Sequence, residues 1–515
     1  MSDAARPRVG AIAVLLGASV ALSRVVGYVR EIILADQLGA GARTDAYYAA
    51  FQIPDVLNYL LAGGALTIAF VPFYTRERGE RGDEAAQRLF EVVLGTTGAL
   101  AVAATVGLYA VAGDWVPRIF EHFDPTTQQL TVELTRILLP AQIFFVVGGI
   151  VRAVLMVEGR FATHALAPIV YNLGIVVGGL ATGTPEGFAW GALVGAFLGP
   201  FLLPVLDLRR TQRVAFRIEP FAPELRAYLW LALPLMLGLS LTTVDEWYEK
   251  YFGQAVGVGV VAYLGFARRL VQAPIAVVGQ AIGVAALPSL TRFWAEGRSG
   301  ELDAMLGSAL RAALGLGTLA AAFVFVFAGP VVELVYHHGA FDAEAAARTA
   351  SVLSVMSFAI PGWVAQQVGV RAFYAREEMW RAMLLGTGVV LAALPLYVAL
   401  GERDGAEGLA AAGAIAMAVN ALATLGWARA RFGGPPLRPI ADAFARAALI
   451  GAVAAVAAVA AQRVLSPAAV DKAAAALELG VGALVFAAVA GLGVVFLADT
   501  ATRESAARVL RRIGR

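Results

Sequence analysis

The 515-residue chain contains no cysteine. Disulfides, a thiol nucleophile and cysteine metal sites are thereby excluded. Histidine is almost missing: His122, His164, His337 and His338 are the only four, and none stands in an HExxH-type ligand spacing. His337 and His338 read as solvated surface beside a loop. Lysine occurs only at Lys250 and Lys472, so arginine supplies 38 of the basic residues. Charge of either sign is scarce, at 15% of residues, where a soluble domain carries about 25%. No nucleophile–base pair and no phosphate-cradling glycine loop stands out, so an enzyme is not expected. Gly39, Ala40 and Gly41 read instead as the turn leaving the first helix. A net charge of +2 gives no general basic field, and no nucleic-acid partner is expected.

What is present is apolar sequence: 59% of residues are hydrophobic and mean hydropathy is +0.73. Stretches of about 20 apolar residues read as membrane-spanning helices. Fourteen are expected, near 9–37, 44–74, 85–112, 127–157, 162–182, 187–207, 225–252, 257–290, 302–328, 344–374, 379–400, 407–428, 440–462 and 474–498. The first is too long for a signal-peptide core and is read as a retained helix. Gly27, Pro54, Pro140, Pro274 and Pro361 are kink candidates. One alternate set of loops and tails holds 24 basic residues and the other 5. The positive-inside rule then places both termini in the cytoplasm, as an even span count requires. The chain is expected to be a multi-pass membrane protein.

An internal repeat organises these spans. "ALTIAFVPFYTR" (65–76) resembles "AIGVAALPSLTR" (281–292), an offset of 216 that aligns Ala65, Ala69, Pro72, Thr75 and Arg76 with Ala281, Ala285, Pro288, Thr291 and Arg292. "VRA" recurs at 151–153 and 370–372, an offset of 219. The expected architecture is all-α. Two six-helix lobes, 1–210 and 222–432, surround a central cavity lined by helices 1, 2, 7 and 8. Helices 13 and 14 (440–498) stand outside them, and 499–515 forms a basic cytoplasmic tail. Both added helices lack central polar groups, and a hydrophobic groove on their inner side is expected to hold a lipid chain.

Charge sits in the wrong place in "SRVVGYVREIIL" (23–34), where Arg24, Arg30 and Glu31 interrupt an apolar run. Each such charge costs about 2.5–3.5 kcal/mol at a bilayer centre. The motif Ser-Arg-x-x-Gly-Tyr-x-Arg-Glu, followed by "GAGARTDA" (39–46), resembles the N-terminal signature of the MurJ/MviN family, lipid II flippases of the MOP superfamily. "YLGFARRLVQAPIAVVGQAIGVAALPSL" (263–290) is similar to that family's eighth helix. The resemblance extends along essentially the whole chain and includes the count of fourteen spans. It implies movement of undecaprenyl-pyrophosphate-linked peptidoglycan precursor from the cytoplasmic to the periplasmic leaflet by alternating access. It implies a role in cell-wall synthesis and cell shape.

Family arginines needed for flipping match Arg24, Arg30 and Arg269. Arginine suits a pyrophosphate because its planar fork binds bidentately and stays charged when buried. On a straight helix Arg24 and Glu31 share a face and Arg30 points about 120° away, so a bend at Gly27 is invoked to turn both arginines toward one cavity. The other reading pairs each arginine with a buried carboxylate. Glu31, Asp45, Asp245 and Glu249 are the expected ion-pair partners.

Four positions depart from the family pattern: Asn58 replaces an arginine, Gly63 a glutamate, Arg268 an aspartate and Gln272 a glutamate. Asn58 can still hydrogen-bond a phosphate or sugar. Arg268 is expected to supply the charge lost at 58; alternatively it binds Asp245 or Glu249 and is unavailable to cargo. In "TTVDEWYEKYF" (242–252) four charges fall within one span. Glu246 and Lys250 are spaced to pair. Some family members bind sodium through an acid in this helix, which nominates Asp245 with Asn420 and Thr424, although the stretch 379–400 offers no Asp or Asn to complete the set. No cofactor is expected; sodium or membrane-potential coupling stays open. The expected partners are lipid II or a similar polyprenyl-pyrophosphate lipid and membrane lipids, and a monomer is expected. Two alternatives stay open: a superfamily flippase for another polyprenyl-linked oligosaccharide, or a non-transporting flippase-like membrane protein.

Overall fold

A computed structural model describes residues 9–57, 65–237, 241–465 and 472–513. Asn58 and Gly63 lie outside the described residues. The described residues are predominantly helical, without a strand, as a lipid environment demands when every backbone polar group must be satisfied internally. The chain divides into two compact units: unit 1 is 1–238 with 338–341, and unit 2 is 239–337 with 342–515.

Unit 1 contains α1 (Val9–Leu38), α2 (Ala42–Ala50), α3 (Gln52–Leu57), α4 (Ala65–Arg81), α5 (Asp83–Ala110), α6 (Ala112–Ile119), α7 (Pro125–Leu138), α8 (Ala141–Val157), α9 (Ala162–Thr182) and α10 (Pro185–Ala196). A π-helical stretch (Phe197–Leu202), α11 (Leu203–Leu208) and α12 (Pro223–Leu237) complete it. Local chemistry sets several of these boundaries. Asp124 caps α7 by accepting from the Thr126 and Thr127 N–H groups, and Pro125 occupies the first helical position, where its missing donor costs nothing. Thr184 and Pro185 repeat the device at α10. Pro140 separates α7 from α8.

Packing in unit 1 depends on close backbone approach. Gly174 and Gly178 on α9 face Gly187, Gly191 and Gly195 on α10. A Cβ on Gly178 would stand 2.2 Å from the Gly187 carbonyl oxygen, and one on Gly191 2.3 Å from that of Gly174. Glycines four residues apart thus form one smooth ridge on each helix, the membrane solution for bringing two backbones together. A separate aromatic core gathers Phe70, Tyr74, Phe90 and Tyr228.

Unit 2 contains α13 (Leu241–Val256), α14 (Val260–Ile275), a π-helical stretch (Ala276–Gln280), α15 (Ala281–Ala295), α16 (Ser299–Tyr336), α17 (Ala343–Met356), α18 (Ala359–Gly369) and α19 (Arg371–Tyr374). It continues with α20 (Met379–Phe432), α21 (Leu437–Leu465), α22 (Lys472–Phe496) and α23 (Thr500–Ile513). α16 is the hub: α15, α17, α18, α21, α22 and α23 all pack on it. α20 covers two expected spans and breaks between them at Gly405, whose φ of +63° only glycine adopts readily.

Nine helical segments among the described residues are long and apolar enough to cross a bilayer. The expected first, second, seventh and tenth spans correspond to α1, to α2 through α4, to α12 with α13, and to α17 through α19. Pro274 lands beside the second π-helical stretch, where a proline disturbs the hydrogen-bond ladder. Gly27 does not break its helix: α1 runs through it.

The units divide the chain differently from the expected 1–210 and 222–432. α12 belongs to unit 1, because Leu225 and Tyr228 complete the core around Phe70 and Tyr74. α21 and α22 belong to unit 2 rather than standing apart. Ile450, Ala454 and Ala458 of α21, with Phe486, Ala490 and Val494 of α22, bury against Phe327 of α16. Protein covers these helices at those six positions. An open apolar concavity of about 390 Å3 lies between the two halves of α20, lined by Leu384, Val389, Leu396, Ile415, Val419 and Trp427.

Candidate functional site

Two buried arginine centres stand out, one in each unit. In unit 1, Arg30 of α1 is half-buried. Its Nη1 donates to Asn172 Oδ1 of α9 at 3.0 Å, and its Nη2 forms a short bond to Glu31 Oε1. The other oxygen of Glu31 accepts from the Tyr48 hydroxyl of α2 at 2.7 Å. Glu31 is only 2% exposed, and a lone carboxylate there would be costly to bury. The pair and the tyrosine remove that cost, and they hold the guanidinium in one orientation. Consecutive residues on a helix diverge by about 100°, so Arg30 curls back along α1 to meet its neighbour. Asp45 is buried in the first turn of α2, where a helix N-terminus favours negative charge. Arg24 lies on the exposed part of α1.

In unit 2, Arg268 of α14 is enclosed, at 5% exposure. Its Nε donates to Glu249 Oε2 at 2.8 Å and its Nη2 to Asp245 Oδ2 at 2.5 Å. Nη2 also stands 2.6 Å from Glu249 Oε1. Asp245 and Glu249 lie four residues apart on α13, so one helix face presents both carboxylates. Asp245 accepts a further short bond from the Tyr397 hydroxyl of α20. Gly413 of α20 leaves room for this cluster: a Cβ there would sit 2.7 Å from Asp245 Oδ1. A cavity of about 10 Å3 adjoins the trio, at the lower limit for one water molecule. On the same helix Lys250 meets Glu246 at 3.3 Å. Arg269, next along α14, is half-buried.

Arg268 thus takes the second of its two expected places. Two carboxylates hold the guanidinium through its Nε and Nη2. The sodium set also fails to converge. Both Asp245 oxygens are occupied, and Asn420 lies seven residues beyond Gly413, about 10 Å further along α20. Thr424 stands one turn beyond that, beside Gly369 of α18. Among the described residues no group of three or more acidic or histidine side chains has metal-holding geometry. His337 is more than solvated surface, since its Nδ1 meets Glu333 Oε1 at 2.5 Å.

Three residues of these centres escaped sequence reasoning: Tyr48, Asn172 and Tyr397. The one available signal was a polar group within an apolar span, which Asn172 provides.

The family model described as "Lipid II flippase MurJ" matches residues 34–472. A Burkholderia cenocepacia protein named lipid II flippase MurJ is 27% identical over 387 residues, covering 72% of this chain and 74% of the relative. A probable lipid II flippase MurJ of Rhizobium meliloti is 28% identical over 420 residues, covering 79% and 78%. Among solved structures, a lipid II flippase MurJ in an inward closed conformation superposes with a TM-score of 0.77 at 19% identity, over 93% of this chain and 99% of that one. An inward-facing MATE-family multidrug transporter of the MOP superfamily gives 0.67 at 18% identity, over 80% and 94%. The match to the family model spans most of the chain: this protein belongs to the MurJ lipid II flippase family.

Proposed function

We propose that the protein carries the polyprenyl-pyrophosphate precursor lipid II across the bacterial cytoplasmic membrane, from the cytoplasmic to the periplasmic leaflet, with both termini in the cytoplasm. The observation that carries this reading is the Arg30 centre. Glu31, Tyr48 and Asn172 hold one guanidinium inside an apolar helix bundle. Two of its nitrogens are engaged, and no other described residue takes the remaining N–H groups. A pyrophosphate entering such a site exchanges its water shell for a positioned cation, and in a low dielectric that attraction is strong. Arg24, on the same helix, adds positive charge for the cargo. The fold is one captured in both inward-facing and outward-facing forms among its superfamily neighbours, which suits alternating access around a bound headgroup.

Because Arg268 is neutralised in its own pair, the cargo site holds one cation fewer than the family pattern. This favours a second reading in which the headgroup differs from that of typical relatives. The test is complementation of cells depleted of their lipid II flippase. Restored growth with labelled lipid II reaching the periplasmic leaflet supports the first reading. Stable expression without rescue, joined to flipping of another polyprenyl-linked glycan, supports the second.

A further inference from the structure

The repeated "VRA" motif places one arginine in each unit at the same register, Arg152 and Arg371. Neither belongs to the centres described above. Arg152 lies on α8, five residues before its end at Val157, about 8 Å inside that end. Its Nη1 donates to the Pro200 carbonyl at 3.2 Å. That carbonyl has lost its α-helical partner, because Pro204 has no N–H to offer. Gly148, one turn before Arg152, lets the π-helical backbone come close: a Cβ there would stand 1.9 Å from the Pro200 oxygen. Arg152 spends one of its five N–H donors on that carbonyl.

Arg371 opens α19, close to the loop that holds Arg376. Its Nε is enclosed without a hydrogen-bond partner, and the Gln367 Oε1 one turn earlier is likewise unpartnered. Gly283 of α15 packs beside it, with the position of an added Cβ 3.5 Å from that Nε. The guanidinium carbon lies 5.4 Å from the Tyr374 ring centre.

Neither arginine meets a carboxylate among the described residues. Their neighbours at the same ends do. Arg160 is bridged to Asp207, Arg376 reaches Asp303 at 2.8 Å, and Arg381 and Arg431 share Glu378 at 2.7 and 3.2 Å. Half-buried cations without counter-charge are costly within a membrane unless an anion joins them. At an arginine-rich membrane end the abundant anion is a lipid phosphate, which the guanidinium fork binds bidentately.

We propose that Arg152 and Arg371 form a repeated pair of headgroup sites, one per unit, each binding the phosphate of a lipid with net negative charge at its unit's arginine-rich end. The full-length protein would be placed in nanodiscs containing phosphatidylglycerol or only phosphatidylcholine, and co-retained lipid measured by native mass spectrometry. Phosphatidylglycerol should be retained in preference. Arg152→Gln and Arg371→Gln should each weaken that retention about tenfold, and the double variant should abolish the preference. Arg160→Gln, whose arginine is already paired, should leave it unchanged. If a glutamine variant does not fold, Arg152→Lys and Arg371→Lys keep the charge but lose the fork, and should show intermediate retention. Adding undecaprenyl pyrophosphate separates the sources. Displacement of phosphatidylglycerol identifies the sites as cargo-binding; its persistence identifies them as sites for bulk phospholipid. Equal retention of both phospholipids, or retention indifferent to every substitution, would overturn the proposal and leave two side chains that only reach toward water. Retention is measured without transport, so its outcome does not depend on the flippase reading.

Discussion

Arg30 in unit 1 and Arg268 in unit 2 are both buried arginines bound to acids, yet their surroundings assign them different work. Arg30 has one carboxylate, which it shares with Tyr48, and an amide oxygen from Asn172. Arg268 has two carboxylates from a single helix face, one of them also bound by Tyr397. The first centre is formally neutral with donors to spare. The second sets two carboxylates against one guanidinium, whose Nε and Nη2 are both committed to them. An arginine in a membrane span is therefore not a substrate site by residue type alone. The number of acids around it decides.

Breaking the stronger clamp should have the largest effect. Arg268→Ala leaves Asp245 and Glu249 buried and unpaired, and should cost about 3–5 kcal/mol of stability. A thermal unfolding series in detergent or nanodiscs checks this. Combining Arg268→Met with Asp245→Asn and Glu249→Gln should restore most of the loss, since neutral groups of similar volume need no counter-ion. A stable, transport-competent Arg268→Ala protein would erase the distinction between the centres.

Arg30→Gln is the matching change in unit 1. The amide can still donate to Glu31, but the charge is gone. Loss of a charge-assisted contact to pyrophosphate is worth about 1.5–3 kcal/mol, so flipping of labelled lipid II should fall by about ten- to a hundredfold. The melting temperature should move less than in Arg268→Ala. An Arg30→Gln protein with normal transport would place the cargo elsewhere.

The tyrosines sharpen the contrast. Tyr397→Phe and Tyr48→Phe each remove a hydrogen bond to a carboxylate, at a cost of about 1–2 kcal/mol. Tyr397→Phe should lower stability and leave the transport KM unchanged. Tyr48→Phe should raise KM, because Glu31 then holds Arg30 less firmly. Equal effects of both on KM would show that the unit 2 centre also touches cargo.

The smallest expected effect supplies a baseline outside the bilayer. The Thr127 hydroxyl and the Thr126 and Thr127 N–H groups hold the Asp124 carboxyl below its usual range. A lowered value means that the capping contribution is complete above the ordinary carboxylate range and is lost as pH falls through the depressed one. Asp124→Ala should cost about 1 kcal/mol at neutral pH. Asp124→Asn should keep the cap and remove this part of the acid sensitivity. Unfolding measured from pH 2 to 7 checks both.

Much of this was legible in sequence because bilayer physics writes it there. Apolar runs announced helices, and charges inside them announced centres. Glu31 beside Arg30, and Asp245 four residues from Glu249, were visible as ion-pair candidates. The repeat marked corresponding elements, down to the paired arginines of "VRA". Tyr48, Asn172 and Tyr397 were not visible as partners. They reach their contacts from 17, 142 and 152 residues away, and such residues in apolar helices carry no signature of what they will meet.

The sequence by itself determined the all-helical membrane class, the family and the positions where charge enters the apolar interior. The family was legible in the motifs of 23–46 and 263–290; composition and local pattern suffice for the rest, because water-to-lipid transfer acts on each residue almost independently of its neighbours. Only the tertiary structure decided which acid neutralises which arginine, that Asp245, Asn420 and Thr424 do not gather, and that α21 and α22 pack against α16. Each of these outcomes rests on a few ångströms between segments distant in the chain. Electrostatic pairing and close packing fall off over that distance, so no single-residue property foretells them.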